Sequence, residues 1–123
     1  MEWLKIATST ELVRVCTDDI VYVMADGNYS DIHLCSGKTL KLTFKLHYFE
    51  ETFAQLKDNH FIRLGRSIIV NKNYIQVIKL PERQLVLADN RMKDDVRIDR
   101  LTREALVDIK SIMEKGGDNG QEQ

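Results

Sequence analysis

The stretch Asp19-Ile20-Val21-Tyr22-Val23-Met24-Ala25-Asp26-Gly27-Asn28-Tyr29-Ser30-Asp31-Ile32-His33-Leu34-Cys35 decides the fold. Residues 20–24 are an apolar, β-branched run, Asp26-Gly27-Asn28 is a cluster of turn formers, and beyond it Ile32 and Leu34 alternate with Asp31 and His33. A period of 2 sends successive side chains to opposite faces, which is the pattern of a half-buried antiparallel strand. Two such strands around a turn of Asp, Gly and Asn read as a hairpin.

The same period continues outward. In 38–44, Leu40, Leu42 and Phe44 share one face, while Thr39, Lys41 and Thr43 share the other. Further short strands are expected at 4–7, 12–16, 62–64, 68–70, 75–80 and 85–88, separated by Asp18-Asp19, Ser36-Gly37, Asn71-Lys72-Asn73 and Asp89-Asn90. Two segments follow a helical period instead. Leu46, Phe49, Phe53 and Leu56 form one stripe, predicting a short helix near 46–57. Leu101, Ala105, Ile109 and Ile112 form another, predicting a C-terminal helix near 100–114 that Asp99 can cap. The class is therefore mainly β with short helices, as a single domain over 1–115. Residues 116–123 contain no apolar side chain and read as a disordered tail.

With 123 residues, 43% of them hydrophobic, the chain has enough apolar surface for one core and too much for a disordered polymer. No apolar run approaches the roughly 20 residues of a membrane span. Cys16 and Cys35 lack metal or redox spacing and read as small hydrophobes, and with no secretion signal at the N-terminus a cytoplasmic location fits. The net charge of −1 argues against a protein that coats nucleic acid through bulk charge. Its distribution is uneven, however: residues 63–103 hold 10 basic against 5 acidic side chains, between acidic ends. Such a block is one footprint of a nucleic-acid binder.

Catalytic constellations do not survive inspection. Gly37-Lys38-Thr39 lacks the glycine that a phosphate loop needs at position 32, which is Ile32. Ser30, Asp31 and His33 have the residue types of a triad, but the strand period puts Ser30 on the opposite face from the other two. His33, His47 and His60 share no ligand spacing. The reading is of no enzyme, no metal and no cofactor. Phe49 and Phe53 fall on the helical stripe and read as core, not as a base-stacking platform.

The most specific feature spans three separated motifs. The first is Asp19 to Tyr29 as quoted. The second is Phe61-Ile62-Arg63-Leu64-Gly65-Arg66-Ser67-Ile68-Ile69-Val70-Asn71 with Tyr74-Ile75, and the third is Val96-Arg97-Ile98-Asp99-Arg100-Leu101. In this order they resemble the LytTR family of bacterial DNA-binding domains, with D-I-x-Y-I-E-A-x-G-N-Y, F-x-R-x-H-R-S-x-I-V-N and a closing strand ending near an Arg. The chain departs from that pattern at Gly65, where the family has His, and at Met24-Ala25-Asp26.

The resemblance implies an elongated antiparallel domain whose loops enter the major groove of double-stranded DNA at promoter direct repeats, two copies acting together. By residue it implies base contacts from Asn28, Tyr29, Arg66 and Arg100. Candidate backbone contacts are Ser67, Lys72, Lys93, Arg97 and Arg103, with Lys79 and Arg91 as further phosphate candidates. Asn71 is expected to hold the 71–73 turn through its side chain. The function implied is transcription regulation, by a stand-alone regulator or a fragment of a larger one, with a homodimer on DNA and a regulatory protein as further partners. The alternative is a non-catalytic interaction or dimerisation module that antagonises or assists a related regulator.

Overall fold

A computed structural model describes residues 2–115. The opening stretch forms strands β3 (Ile20–Asp26) and β4 (Tyr29–Leu34), antiparallel, with Asp26 opposite Tyr29 across the turn. They follow β1 (Trp3–Ala7) and β2 (Leu12–Cys16) and precede β5 (Thr39–Leu42), helix α1 (Leu46–Ala54), β6 (Phe61–Arg63) and β7 (Ile68–Asn71). The chain continues through β8 (Ile75–Lys79), β9 (Gln84–Leu87), β10 (Val96–Ile98) and helix α2 (Arg103–Lys115). The strands make a two-stranded sheet β1-β2, a five-stranded sheet β5-β4-β3-β7-β6 and a three-stranded sheet β10-β9-β8, with every pairing antiparallel. The expected class, mainly β with two helices, is the one observed.

The five-stranded sheet lies between two cores. On one face Ile20, Val23, Ile32 and Ile69 pack with Leu4, Ile6 and Val15 of β1-β2 and with Leu46, Phe49 and Phe53 of α1. On the other, Val21, Ile68 and Val70 pack with Leu85, Leu87 and Ile98 and with Leu106 and Ile109 of α2. That arrangement explains why Ile68-Ile69-Val70 is a continuous apolar run: a strand covered on both faces has no solvent side to mark with polar residues. Full burial of Phe49 and Phe53 stabilises the first core by about 1.5–3 kcal/mol each.

Three details differ from the sequence reading. Helix α1 ends at Ala54 rather than near 57, and its last turn tightens, Leu56 N–H donating to Phe53 O at 3.1 Å. Helix α2 begins at Arg103, and its cap is Thr102, whose Oγ1 accepts from Ala105 N at 3.1 Å; Asp99 lies too far back along the chain to cap it. With that start the buried stripe is Leu106 and Ile109, flanked by Ala105 and Met113, while Ile112 is exposed. The tail at 116–123 lies outside the described residues.

Candidate nucleic-acid interface

Antiparallel pairing brings three turns to one end of the molecule. Met24 pairs with Ile68, and beyond that pair Ala25 N donates to Ser67 O at 2.8 Å. The β3–β4 turn, with Asn28 and Tyr29, therefore projects beside the β6–β7 turn, with Arg66 and Ser67. The third turn joins them across a cleft of about 290 Å³ lined by Met24, Arg66, Ser67, Asp99, Arg100 and Thr102. Asn28, Tyr29, Arg66, Ser67 and Arg100 are all exposed. Motifs about thirty residues apart in the chain thus meet at one surface.

The β6–β7 turn is braced from behind. Gly65 has φ +82°, a left-handed conformation that side chains with a Cβ adopt at a cost. A glycine here lets the turn close, and a Cβ at Gly65 would meet nothing within 4 Å. The guanidinium of Arg63 donates from Nε to Gly65 O at 3.0 Å, from one terminal nitrogen to Arg66 O at 3.1 Å, and from the other to Glu50 Oε1 of α1 at 3.0 Å.

The third turn carries strain. Arg100 has φ +63°, unusual for a residue with a side chain. Its neighbours hold it there: Gln84 Nε2 donates to Asp99 Oδ1 at 2.7 Å, and Leu101 N donates to Arg83 O at 3.2 Å. Asp99 is thus engaged by Gln84, and no ion pair between it and Arg100 is formed among the described residues. Arg83 itself has φ +54° and is exposed, and the β8–β9 turn that holds it lies against the Arg100 turn.

At the first turn the acid Asp26 is neutralised. Lys41 Nζ donates to Asp26 Oδ2 at 2.7 Å and lies 3.0 Å from Asp31 Oδ1, and it sits 5.5 Å from the centre of the Tyr29 ring. The hydrogen bond to Asp26 leads in pushing the Lys41 ammonium above its ordinary pKa. A cation over an aromatic face favours one placement of the ring.

Other basic residues divide between this end and the rest of the molecule. Arg103 opens α2 next to Thr102, and Arg97 is exposed on β10. Lys72 follows β7 at the end away from Arg66, with its N–H donating to His60 O. Lys93 lines a cleft with Ser36 and Gly37, beside the turn after β4 and so at the end of that strand away from Tyr29. Arg91 is occupied within the fold: it donates to Asp19 Oδ1 at 3.1 Å, to Asp18 O at 3.0 Å and to the Tyr74 hydroxyl. Burial, with Cys35 close by, pushes the Tyr74 phenol up, and its hydroxyl donates to Asp18 O at 2.6 Å. Asn71 is buried; Nδ2 donates to Ile20 O at 3.0 Å, and Oδ1 accepts from Asn73 N at 3.0 Å, the turn-holding role expected of it.

The residue types of a triad remain apart. Ser30 is buried and donates to Phe44 O at 2.7 Å, while His33 stacks on Tyr22 with centroids 4.1 Å apart. Among the described residues no group of three His, Cys, Asp or Glu side chains is placed to hold a metal ion, and no helix is long and apolar enough to cross a membrane. The sequence reading assigns no role to Arg63, Lys41 or Arg83. Arg63 enters that reading only as part of the second motif; its ties to Gly65, Arg66 and Glu50, those of Lys41 to Asp26 and Asp31, and the hydrogen bond from Leu101 N to Arg83 O show only in the assembled fold.

Comparison with known proteins identifies relatives of this fold. Residues 10–111 match the family model described as the LytTr DNA-binding domain. Over 76 residues, 62% of the chain, the sequence is 29% identical to an uncharacterized response regulatory protein of Vibrio cholerae serotype O1, and the chain spans 29% of that protein's length. A solved LytTr DNA-binding domain from Bacillus cereus has a similar fold, with a TM-score of 0.60 at 20% identity, covering 91% of this chain and 96% of that one.

Proposed function

This chain belongs to the LytTr DNA-binding domain family, and on that premise we propose that it regulates transcription by binding duplex DNA sequence-specifically through the turns around Asn28, Arg66 and Arg100. The observation that carries this reading is the convergence of those three turns on one exposed end. An Arg fork can donate two hydrogen bonds to guanine O6 and N7, and an Asn can read adenine in the same groove. Arg66 and Arg100 are the major-groove readers in this proposal, with Asn28 and Tyr29 beside them. Ser67, Arg97 and Arg103 contact phosphates, which fix register without reading bases. Lys72 and Lys93 reach phosphates only where the duplex extends past the far end of the domain.

Recognition of direct repeats by two copies, and a cytoplasmic location, complete the proposal. The family is a DNA-binding one, and no chemistry is assigned to the domain. A duplex selected from a random pool by the wild-type chain, followed by anisotropy titration against a shuffled duplex over a salt series, tests it. Preference for the selected duplex is expected, with log K falling linearly against log salt by about 0.9 per phosphate contacted. Failure to enrich any sequence, together with a dimer by light scattering, would instead favour the interaction module.

A further inference from the structure

The base-reading turn of residues 64–67 owes its shape to a side chain that does not face outward with it. Arg63 closes β6, and its three donating nitrogens are divided among three acceptors: Gly65 O at 3.0 Å, Arg66 O at 3.1 Å and Glu50 Oε1 at 3.0 Å. The first two are consecutive carbonyls of the turn itself. The third belongs to α1, whose Phe49 and Phe53 anchor it in the first core. The backbone at Arg66 is therefore tied, through Arg63 and Glu50, to a helix anchored in the first core. The remaining hydrogen bonds of the turn, Leu64 N to Ile68 O at 2.9 Å and Ala25 N to Ser67 O at 2.8 Å, lie at its ends and leave its middle to Arg63.

We infer that Arg63, held in plane by Glu50, is a positioning residue: it sets the direction from which Arg66 meets a base, without touching DNA itself. The inference rests on the proposal that residues 64–67 contact DNA. Two physical points carry it. A planar guanidinium offers donors in fixed directions, so it can hold two adjacent carbonyls and a carboxylate at once, whereas a lysine ammonium is a compact charge on a flexible stem. The Arg63 side chain is also only 28% exposed, and its charge is matched by Glu50, so it adds little to phosphate attraction. Gly65, in its left-handed conformation with no Cβ, would otherwise leave the turn free to move. A reading residue displaced by even about 1 Å loses much of a bidentate contact.

The test compares the wild-type chain with Arg63→Lys and with Glu50→Gln, on a duplex selected by the wild-type chain and on a shuffled duplex. Arg63→Lys is expected to lower the preference for the selected duplex roughly tenfold, within the range that one bidentate Arg–guanine pair supplies. Glu50→Gln, on an exposed face of α1, is expected to lower it by a few-fold. Affinity for the shuffled duplex and the salt slope stay unchanged in both variants, and backbone amide order parameters at 65–67 fall toward about 0.6 in the free protein. If Arg63→Lys does not fold at the assay temperature, Glu50→Gln carries the test alone. Unchanged preference in the folded variants overturns the inference. So does equal loss on both duplexes in a third variant, Arg63→Gln, with the slope reduced by about 0.9, which would make Arg63 a phosphate contact. A wild-type chain that selects no sequence would sink the DNA-reading proposal instead, and that result is distinguishable from either outcome.

Discussion

Replacing Arg100 by Gly separates what the residue costs the fold from what it contributes to recognition. Its φ of +63° is a conformation that costs a residue with a Cβ about 1–2 kcal/mol. Glycine adopts it freely, but adds about 0.4–1 kcal/mol of conformational freedom to the unfolded chain. The difference leaves Arg100→Gly more stable than Arg100→Ala by roughly 0.5–1 kcal/mol, since alanine keeps the strain and loses the same side chain. In a domain of this size that is a rise in melting temperature of about 2–4 °C. Both variants lose the guanidinium, so both should lose about 1–3 kcal/mol of discrimination between a selected and a shuffled duplex. Differential scanning calorimetry and anisotropy titration read the two effects independently. Equal stability of the Gly and Ala variants would refute the strain argument. Equal loss on both duplexes would refute base reading by Arg100.

Gly65→Ala should destabilise by about 1 kcal/mol through backbone strain alone, because its Cβ meets no neighbour, and Gly65→Asn by less; chemical denaturation measures both. Asn71→Ala removes the buried hydrogen bond to Ile20 O and the part-buried one from Asn73 N, which should cost about 2–4 kcal/mol in the same assay. Arg103→Ala should reduce the salt slope of binding by about 0.9 with sequence preference intact, the pattern of a phosphate contact. For His33, burial lowers the imidazole pKa, with Asp31 opposing it. The native state then binds fewer protons than the unfolded chain, so stability is fully present above the ordinary histidine pKa of about 6.5 and falls with pH down through the lowered value. Proton NMR titration should find His33 titrating below 6.5, and His33→Gln should flatten that part of the stability profile.

The fold was legible where one period acts on one chain segment. Ile32 and Leu34 against Asp31 and His33 marked β4, and Leu46, Phe49 and Phe53 marked α1 and its core face. Legibility failed where a second surface intervened. Residues 68–70 read as a strand and are one, but their burial on both faces, which removes the alternation, shows only in the assembled layers. At α2 the sequence reading takes Asp99 as the cap, where Thr102 holds that position, and its stripe of Leu101, Ala105, Ile109 and Ile112 passes over the buried Leu106. The exposed candidates Asn28, Tyr29, Arg66 and Arg100 were marked by motif, whereas the bracing contacts of Lys41, Arg63 and Arg83 required the assembled fold. Arg91 shows the converse: among the basic residues of 63–103 it looked available for phosphate, yet Asp19 and Tyr74 hold it.

Those placements change the meaning of the basic block. Charge counted along the chain treats ten basic side chains as one patch, but the fold divides them by task. Arg91 secures the end bearing Asp18 and Asp19, Arg63 braces a turn, and Lys72 and Lys93 lie away from the cleft. Arg66, Arg83, Arg100 and Arg103 remain at the converging turns, with Asp99 engaged by Gln84 and Asp26 by Lys41. A surface with so few uncommitted cations gains little from sequence-independent attraction, because that attraction scales with the phosphates neutralised. Discrimination must then come from geometry at a small number of side chains. Two of the turns that present them hold left-handed backbone, at Gly65 and Arg100, and both are fixed by hydrogen bonds from residues that themselves belong to strands, turns and a helix packed behind. If these turns read DNA as proposed, weak attraction and braced presentation are coupled: the fewer the phosphate contacts, the more the affinity for a correct site depends on how the turns are held.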